Sequence, residues 1–158
     1  MNLLLLRHAD ALPGHDDAAR PLSDRGEDEA KRVGRFLDKI GFEIDLAYSS
    51  PLIRARQTAE IVVKKCGKPG RGSVELSDAL LNETSFTAFG RWFKTLPVSG
   101  NILLVGHDPS ISERLCKLLK ASDSSAFKMR KGAVAVLESE DLRSFRLQLF
   151  LAPKQLPE

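Results

Sequence analysis

Cysteine, histidine and long apolar runs are all scarce in this chain, and each scarcity narrows what it can be. The two cysteines, Cys66 and Cys116, form no CxxC motif and fall on two different expected helices. They read as reduced thiols packed as small apolar groups, which is favoured over a disulfide. The opening apolar run covers only Leu3 to Leu6, too short for the core of a secretion signal. No stretch approaches the length of a membrane span. The 24 Lys and Arg against 21 Asp and Glu leave a formal charge of only +3, with no massed basic run. That argues against a dedicated nucleic-acid binder, which clusters Lys and Arg on one face. No carboxylate–histidine cluster has metal-ligand spacing, so neither a metal nor another cofactor is expected. Internal repeats and low-complexity segments are absent from the sequence.

What is present fits one globular domain over residues 1–158, with 42% hydrophobic and 28% charged residues. Asn2–Leu6 is a nearly continuous apolar run, as in a strand buried on both faces. Residues 9 to 22, with Pro13, Gly14 and Pro21, read as an irregular loop. Ser23 looks like an N-cap, followed by Ala30, Val33, Phe36, Leu37 and Ile40 at helical spacing, with Gly41 ending the helix. A strand over 44–48 precedes Ser50-Pro51, which opens a second helix with Pro at its first position and Leu52, Ala55, Ala59, Val62 and Cys66 as the buried stripe. Gly67 to Gly72 is a Gly/Lys/Pro-rich turn, and the Lys64–Arg71 basic patch reads as solvated. Val74–Leu76 is a brief strand, followed by a helix around 85–96 with Phe89, Trp92 and Phe93 as core residues.

Asn101–Val105 is another buried strand, and Asp108-Pro109 repeats the cap-then-proline opening before Ile111, Leu115, Leu118 and Leu119. Ala133–Leu137 and Phe145–Leu151 close the chain as two strands. In the last, Phe145, Leu147, Leu149 and Leu151 alternate with Arg146 and Gln148, which predicts one exposed face. Strands alternating with helices imply a three-layer α/β/α sandwich around a mostly parallel sheet, with an antiparallel edge from the closing pair.

Arg7-His8 and Gly106-His107 sit where two strands end. Ligands in open α/β sheets bind outside the carboxyl ends of the strands, so two histidines distant in sequence are aimed at one place. Arg54 falls in the first turn of a helix, where free N–H groups and the dipole favour an anion. Guanidinium suits phosphate because its planar fork donates two hydrogen bonds at once. Two imidazoles, several guanidiniums and helix N-termini fit a phosphoryl group.

The motifs Leu-Leu-Arg7-His8-Ala-Asp, Arg20-Pro-Leu-Ser-Asp-Arg-Gly26, Ser49-Ser-Pro-Leu-Ile-Arg54-Ala-Arg-Gln57-Thr-Ala and Val105-Gly-His107-Asp-Pro occur in this order. Together they resemble the histidine phosphatase superfamily, with its phosphoglycerate mutase-like fold, over residues 2 to about 120. The short chain and the Arg-Pro-Leu-Ser segment are most similar to its SixA-type phosphohistidine phosphatases. The resemblance implies that His8 attacks phosphorus and becomes phosphohistidine, while Arg7, Arg54 and His107 bind the phosphoryl oxygens. It places Arg20 near the phosphate as well. It requires no metal. Ala9 stands where the superfamily usually has glycine. Cleavage of a leader would remove His8, so a cytoplasmic protein is expected.

Phosphomonoesterases of this superfamily also carry an acid that protonates the leaving oxygen, for which Asp78 and Glu83 are the candidates here. Without such an acid an alkoxide leaves poorly, whereas the imidazole of a phosphohistidine leaves more readily. The expected substrate is therefore a phosphohistidine on a signalling or phosphorelay protein, with a small phosphorylated metabolite as the alternative. A non-catalytic phosphate-binding protein is the third reading, opposed by the intact set of His8, His107, Arg7 and Arg54. His15 reads as a solvated side chain, Gln57 and Thr58 as residues holding the helix start, and Ser23 and Asp108 as caps.

Overall fold

Four consecutive leucines make the centre of the sheet. In the computed structural model, which describes residues 1–70 and 73–158, they lie on strand β1 (Asn2–Arg7) and are at most 1% exposed. Alternation along the strand sends them to opposite layers. Leu4 and Leu6 join a cluster with Ala30, Val33 and Leu37 of helix α1 (Asp24–Lys39) and Ala55, Ala59 and Val62 of helix α2 (Ile53–Cys66). Leu3 and Leu5 join another with Phe89 and Phe93 of helix α3 (Phe86–Phe93) and Ile111 and Leu115 of helix α4 (Ser110–Leu118). Burial of each such leucine contributes about 1.5–3 kcal/mol relative to exposure. An unbroken apolar run is thus what a strand sandwiched between two helical layers requires.

Strands β2 (Leu46–Ser49), β3 (Val74–Leu76) and β4 (Asn101–Gly106) run parallel with β1, β5 (Val134–Glu138) pairs antiparallel with β1, and β6 (Arg146–Leu151) pairs antiparallel with β5. The order is β3-β2-β4-β1-β5-β6, a six-stranded sheet with an antiparallel edge, as expected from the sequence. Among the described residues, no helix is long and apolar enough to cross a membrane. Cys66 and Cys116 are buried free thiols, and burial pushes the Cys66 thiol up to about 12.

Several local expectations need correction. Helix α2 starts at Ile53 with Leu52 at its N-cap, so Pro51 lies outside it. The Asp108 carboxylate does not cap α4; it accepts from the Ser112 hydroxyl, and Asn82 Oδ1 takes the Ser110 N–H at 3.1 Å. Strand β6 does not keep one face. A bulge pairs Val136 with Leu149 and Leu137 with Leu147, which skips Gln148 and leaves Leu147 39% exposed. Leu149 and Leu151 then pack on the α1/α2 side, and Phe145 and Phe150 on the other. The turn expected over 67–72 is described only to Gly70, and the Arg71 end of the basic patch lies outside the described residues.

The loop after β1 is clamped to the start of α1. Ser23 caps α1 through Gly26 N–H at 3.1 Å, and its own N–H donates to the Asp10 carbonyl at 3.0 Å. A Cβ on Gly26 would stand 1.9 Å from that carbonyl oxygen, closer than any side chain allows. Gly26→Ala must push the Asp10 backbone, and with it the loop after His8, outward. The expected loss is about 1–3 kcal/mol, read as a lowered urea midpoint; an unchanged midpoint would contradict the clamp.

Candidate active site

Parallel pairing of β1 with β4 aligns Arg7 with Gly106, so the next residue on each strand is a histidine. The His8 N–H donates to the Gly106 carbonyl at 3.0 Å, and the two imidazole centroids lie 5.0 Å apart. Both rings are buried, His8 at 7% and His107 at 2% exposure. The hydrogen-bond partners assign the His8 nitrogens. Nδ1 lies 2.7 Å from the Ala9 carbonyl oxygen, which only accepts, so Nδ1 carries the hydrogen. Nε2 keeps its lone pair and accepts from Arg54 Nε at 3.3 Å.

Helix α2 brings Arg54 there and anchors it. Thr58 Oγ1 donates to the Arg54 carbonyl at 2.7 Å and accepts the Ala9 N–H at 3.1 Å. Gln57 Oε1 takes the Leu22 N–H at 2.8 Å, so this helix also holds the end of the loop. Ala9, where the resembled family usually has glycine, is fully buried with its N–H satisfied.

Ser50, treated in the sequence only as part of a helix opening, has its Oγ 2.6 Å from His107 Nε2 and accepts the Leu52 N–H at 3.4 Å. It fixes the ring and leaves His107 Nδ1 buried with no partner. Arg7 donates from Nη1 to the Met129 carbonyl at 3.0 Å, and its Nε is likewise buried and unpartnered. Buried polar atoms without partners are costly, and both face no competing protein group.

The loop over residues 9–22 supplies a carboxylate that the sequence did not point out. Asp17 accepts from Arg54 Nη2 at 3.2 Å through Oδ2, and its carbonyl accepts from Arg54 Nη1 at 2.7 Å. Its Oδ1 is held by Arg20, from Nε at 3.0 Å and Nη2 at 2.9 Å. Arg20 therefore joins the site through Asp17, without a hydrogen bond to either histidine. Asp17 stands on the arginines as an internal anion, held below the usual carboxylate range by Arg20 first and by Arg54. The only local signal was an acidic residue three positions before Arg20. Asp78 and Glu83 are exposed, and neither carboxylate is hydrogen-bonded or ion-paired to a site residue. His15 is exposed in the same loop.

Electrostatics keep both imidazoles neutral. Burial, with Arg54, Arg7 and Lys131 adding to it against the Ala9 hydrogen bond, pushes His8 down to about 4. Burial, then His8 and Arg54, push His107 down to about 3, against the opposing Asp17. A neutral imidazole whose Nε2 is unprotonated amid guanidiniums has the chemistry to attack a phosphoryl group once Arg54 Nε releases that lone pair. Lys131, paired with Asp10 Oδ1 at 2.7 Å, is a further cation that sequence motifs did not mark. Among the described residues, no group of three or more His, Cys, Asp or Glu is placed to hold a metal ion.

The chain belongs to the histidine phosphatase superfamily (branch 1), whose family profile matches residues 3–92. Its fold is shared with the protein histidine phosphatase SixA complexed with tungstate, at TM-score 0.88 and 23% identity over 98% of this chain and 99% of the other. A protein of Agrobacterium tumefaciens assigned as phosphohistidine phosphatase SixA gives TM-score 0.79 and 27% identity over 96% and 97% of the two chains. One of Escherichia coli assigned as an alpha-ribazole-5'-P phosphatase gives 0.76 and 20% over 97% and 98%.

The lowered imidazole pKa values link stability to pH. Between 6.5 and about 4 the unfolded chain protonates both rings while the folded chain refuses the proton. The pair's contribution to stability is therefore complete above 6.5 and is lost as pH drops towards 4, by roughly 2–3 kcal/mol per pH unit at most. Urea midpoints at pH 7.5 and 5.0 should show this fall, and a His8→Gln/His107→Gln variant should lose most of it. Equal pH slopes in the two proteins would contradict the buried neutral pair.

Proposed function

We propose that this phosphatase takes the phosphoryl group of a protein-borne phosphohistidine onto His8 Nε2 and passes it to water. The observation that carries the reading is the assignment of the His8 nitrogens: Nδ1 donates to the Ala9 carbonyl and Nε2 offers its lone pair beside Arg54. In the first step the Nε2 lone pair bonds to phosphorus as the substrate P–N bond breaks, and the departing imidazole nitrogen takes a proton from solvent. In the second, water bonds to phosphorus, the P–N bond to His8 breaks, and phosphate leaves.

Arg54 and Arg7 hold the equatorial oxygens. His107 Nδ1, buried without a protein partner, is the donor for another oxygen once the phosphoryl charge has drawn a proton onto the ring. Arg54 must exchange Asp17 for the phosphoryl oxygens, and Arg20 follows through the same carboxylate. Ser50 holds the His107 ring throughout.

The phosphohistidine reading is supported by the state of the carboxylate that reaches the site arginines. Asp17 is the one carboxylate bonded to a site arginine among the described residues, and two guanidiniums keep it ionised. An ionised carboxylate has no proton to give, and an alkoxide without a donor loses roughly 10²–10⁴-fold in rate. The imidazole of phosphohistidine does not need that help. A small phosphate monoester is the second reading, favoured by the fold shared with the alpha-ribazole-5'-P phosphatase.

The deciding experiment compares kcat/KM on a phosphohistidine protein with that on a panel of phosphate monoesters. We expect a preference of at least about 100-fold for phosphohistidine, the low end of what a missing acid costs; a preference for any monoester would overturn the substrate. Rapid quenching with labelled substrate should trap an acid-labile, alkali-stable phosphoenzyme. His8→Ala should abolish it, and label persisting in that variant would remove His8 from the mechanism.

A further inference from the structure

Beside Arg7, on the side where β5 and the chain end lie, the surface opens into a cleft of about 300 Å³. Its wall carries Arg7, Arg25, Lys128, Arg130, Lys131 and Lys154, drawn from four separate segments of the chain. Glu29 is the one carboxylate in the wall, and it is already occupied. Its oxygens take the Asp10 N–H at 2.9 Å and Arg25 Nε at 3.1 Å. Asp10 in turn is held by Lys131. Lys128, Arg130 and Lys154 have no ion pair among the described residues, and Arg7 bonds only a carbonyl.

Even when Asp10, paired with Lys131 from outside the wall, is counted with Glu29, the six cations exceed the carboxylates by four, while the whole chain carries a net charge of only +3. The rest of the chain holds the remaining 18 of 24 Lys and Arg against 19 of 21 Asp and Glu. A concentration of like charge raises the local potential and is unfavourable until an anion enters. The cleft also adjoins the chemistry: Arg7 is shared between them, and Arg7 and Lys131 both act electrostatically on His8.

We propose that this cleft docks acidic side chains that flank the phosphohistidine on the surface of its protein substrate. The inference rests on the function proposed above and names what that substrate must carry around its phosphorylated residue. Small-molecule sites rely on a few enclosed, precisely placed polar groups. Here Lys128, Arg130, Lys131 and Lys154 are exposed, and the Arg25 side chain is 80% exposed. Long, mobile cations in an open cleft suit carboxylates presented by another protein, where they speed encounter and select the partner. A surface lysine carboxylate pair contributes little alone, so several must act together.

The test uses two synthetic phosphohistidine peptides, one with glutamates on both sides and one with glutamines in their place. At low salt the natural protein should favour the glutamate peptide roughly tenfold in kcat/KM, mostly through KM, and lose the preference at high salt. Lys128→Glu/Arg130→Glu should erase the preference while leaving turnover of an aryl phosphate unchanged. In parallel, calorimetry should detect the unphosphorylated glutamate peptide binding to the natural protein and not to the double variant. Equal turnover of the two peptides with no calorimetric binding, or binding that survives in the double variant, would overturn the docking cleft. So would binding of propanediol bisphosphate that depends on Lys128 and Arg130 when the glutamate peptide does not bind. If neither peptide is dephosphorylated but glutamate binding still depends on Lys128 and Arg130, the substrate reading falls and the acidic cleft stands.

Discussion

The site depends on the parallel hydrogen-bonded pairing of β1 with β4. Six residues match in register, ending with Arg7 against Gly106, and the His8 N–H continues the ladder onto the Gly106 carbonyl. Two imidazoles separated by almost a hundred residues are thereby brought to centroids 5.0 Å apart by backbone alone. A slip of one residue would reverse the faces of every leucine on β1 and carry His8 away from His107. The two leucine layers therefore fix the geometry of the chemistry, because neither layer tolerates the slipped register.

Around this pair, burial and positive charge act together. Burial is the first cause of the lowered affinity of both rings for protons, and Arg54 contributes to each. The same guanidinium that disfavours a proton on His8 Nε2 would favour the phosphoryl group of the proposed reaction there. Asp17 completes the balance by occupying Arg54 from an exposed loop, at 3.2 Å. It supplies negative charge to the arginines at little cost in rigidity, since its side chain is 67% exposed.

Those parts of the fold and the site that follow from local pattern were legible in the sequence. The nearly continuous apolar runs Asn2–Leu6 and Asn101–Val105 read as strands buried on both faces, and the residues just beyond them are Arg7-His8 and Gly106-His107. Arg54 was legible from its place at a helix start. What stayed hidden depends on contacts between segments. The path of residues 9–22 has no periodicity, so Asp17 on Arg54 and Arg20 on Asp17 could not be foreseen. Ser50 read as part of a helix opening, but the helix begins three residues later and frees its hydroxyl for His107. The alternation in β6 looked regular, and only its pairing with β5 reveals the bulge that turns Leu147 outward. The basic cleft draws on four segments and left no run of charge to notice.

The proposed chemistry requires His8 to stand neutral with its hydrogen on Nδ1 and its lone pair on Nε2. Nitrogen-15 NMR of the histidine side chains measures both properties directly. His8 should show a protonated Nδ1 and an unprotonated Nε2 at pH 7, and gain its second proton only near pH 4. A His8 ring with its hydrogen on Nε2, or one that titrates near 6.5, would contradict it.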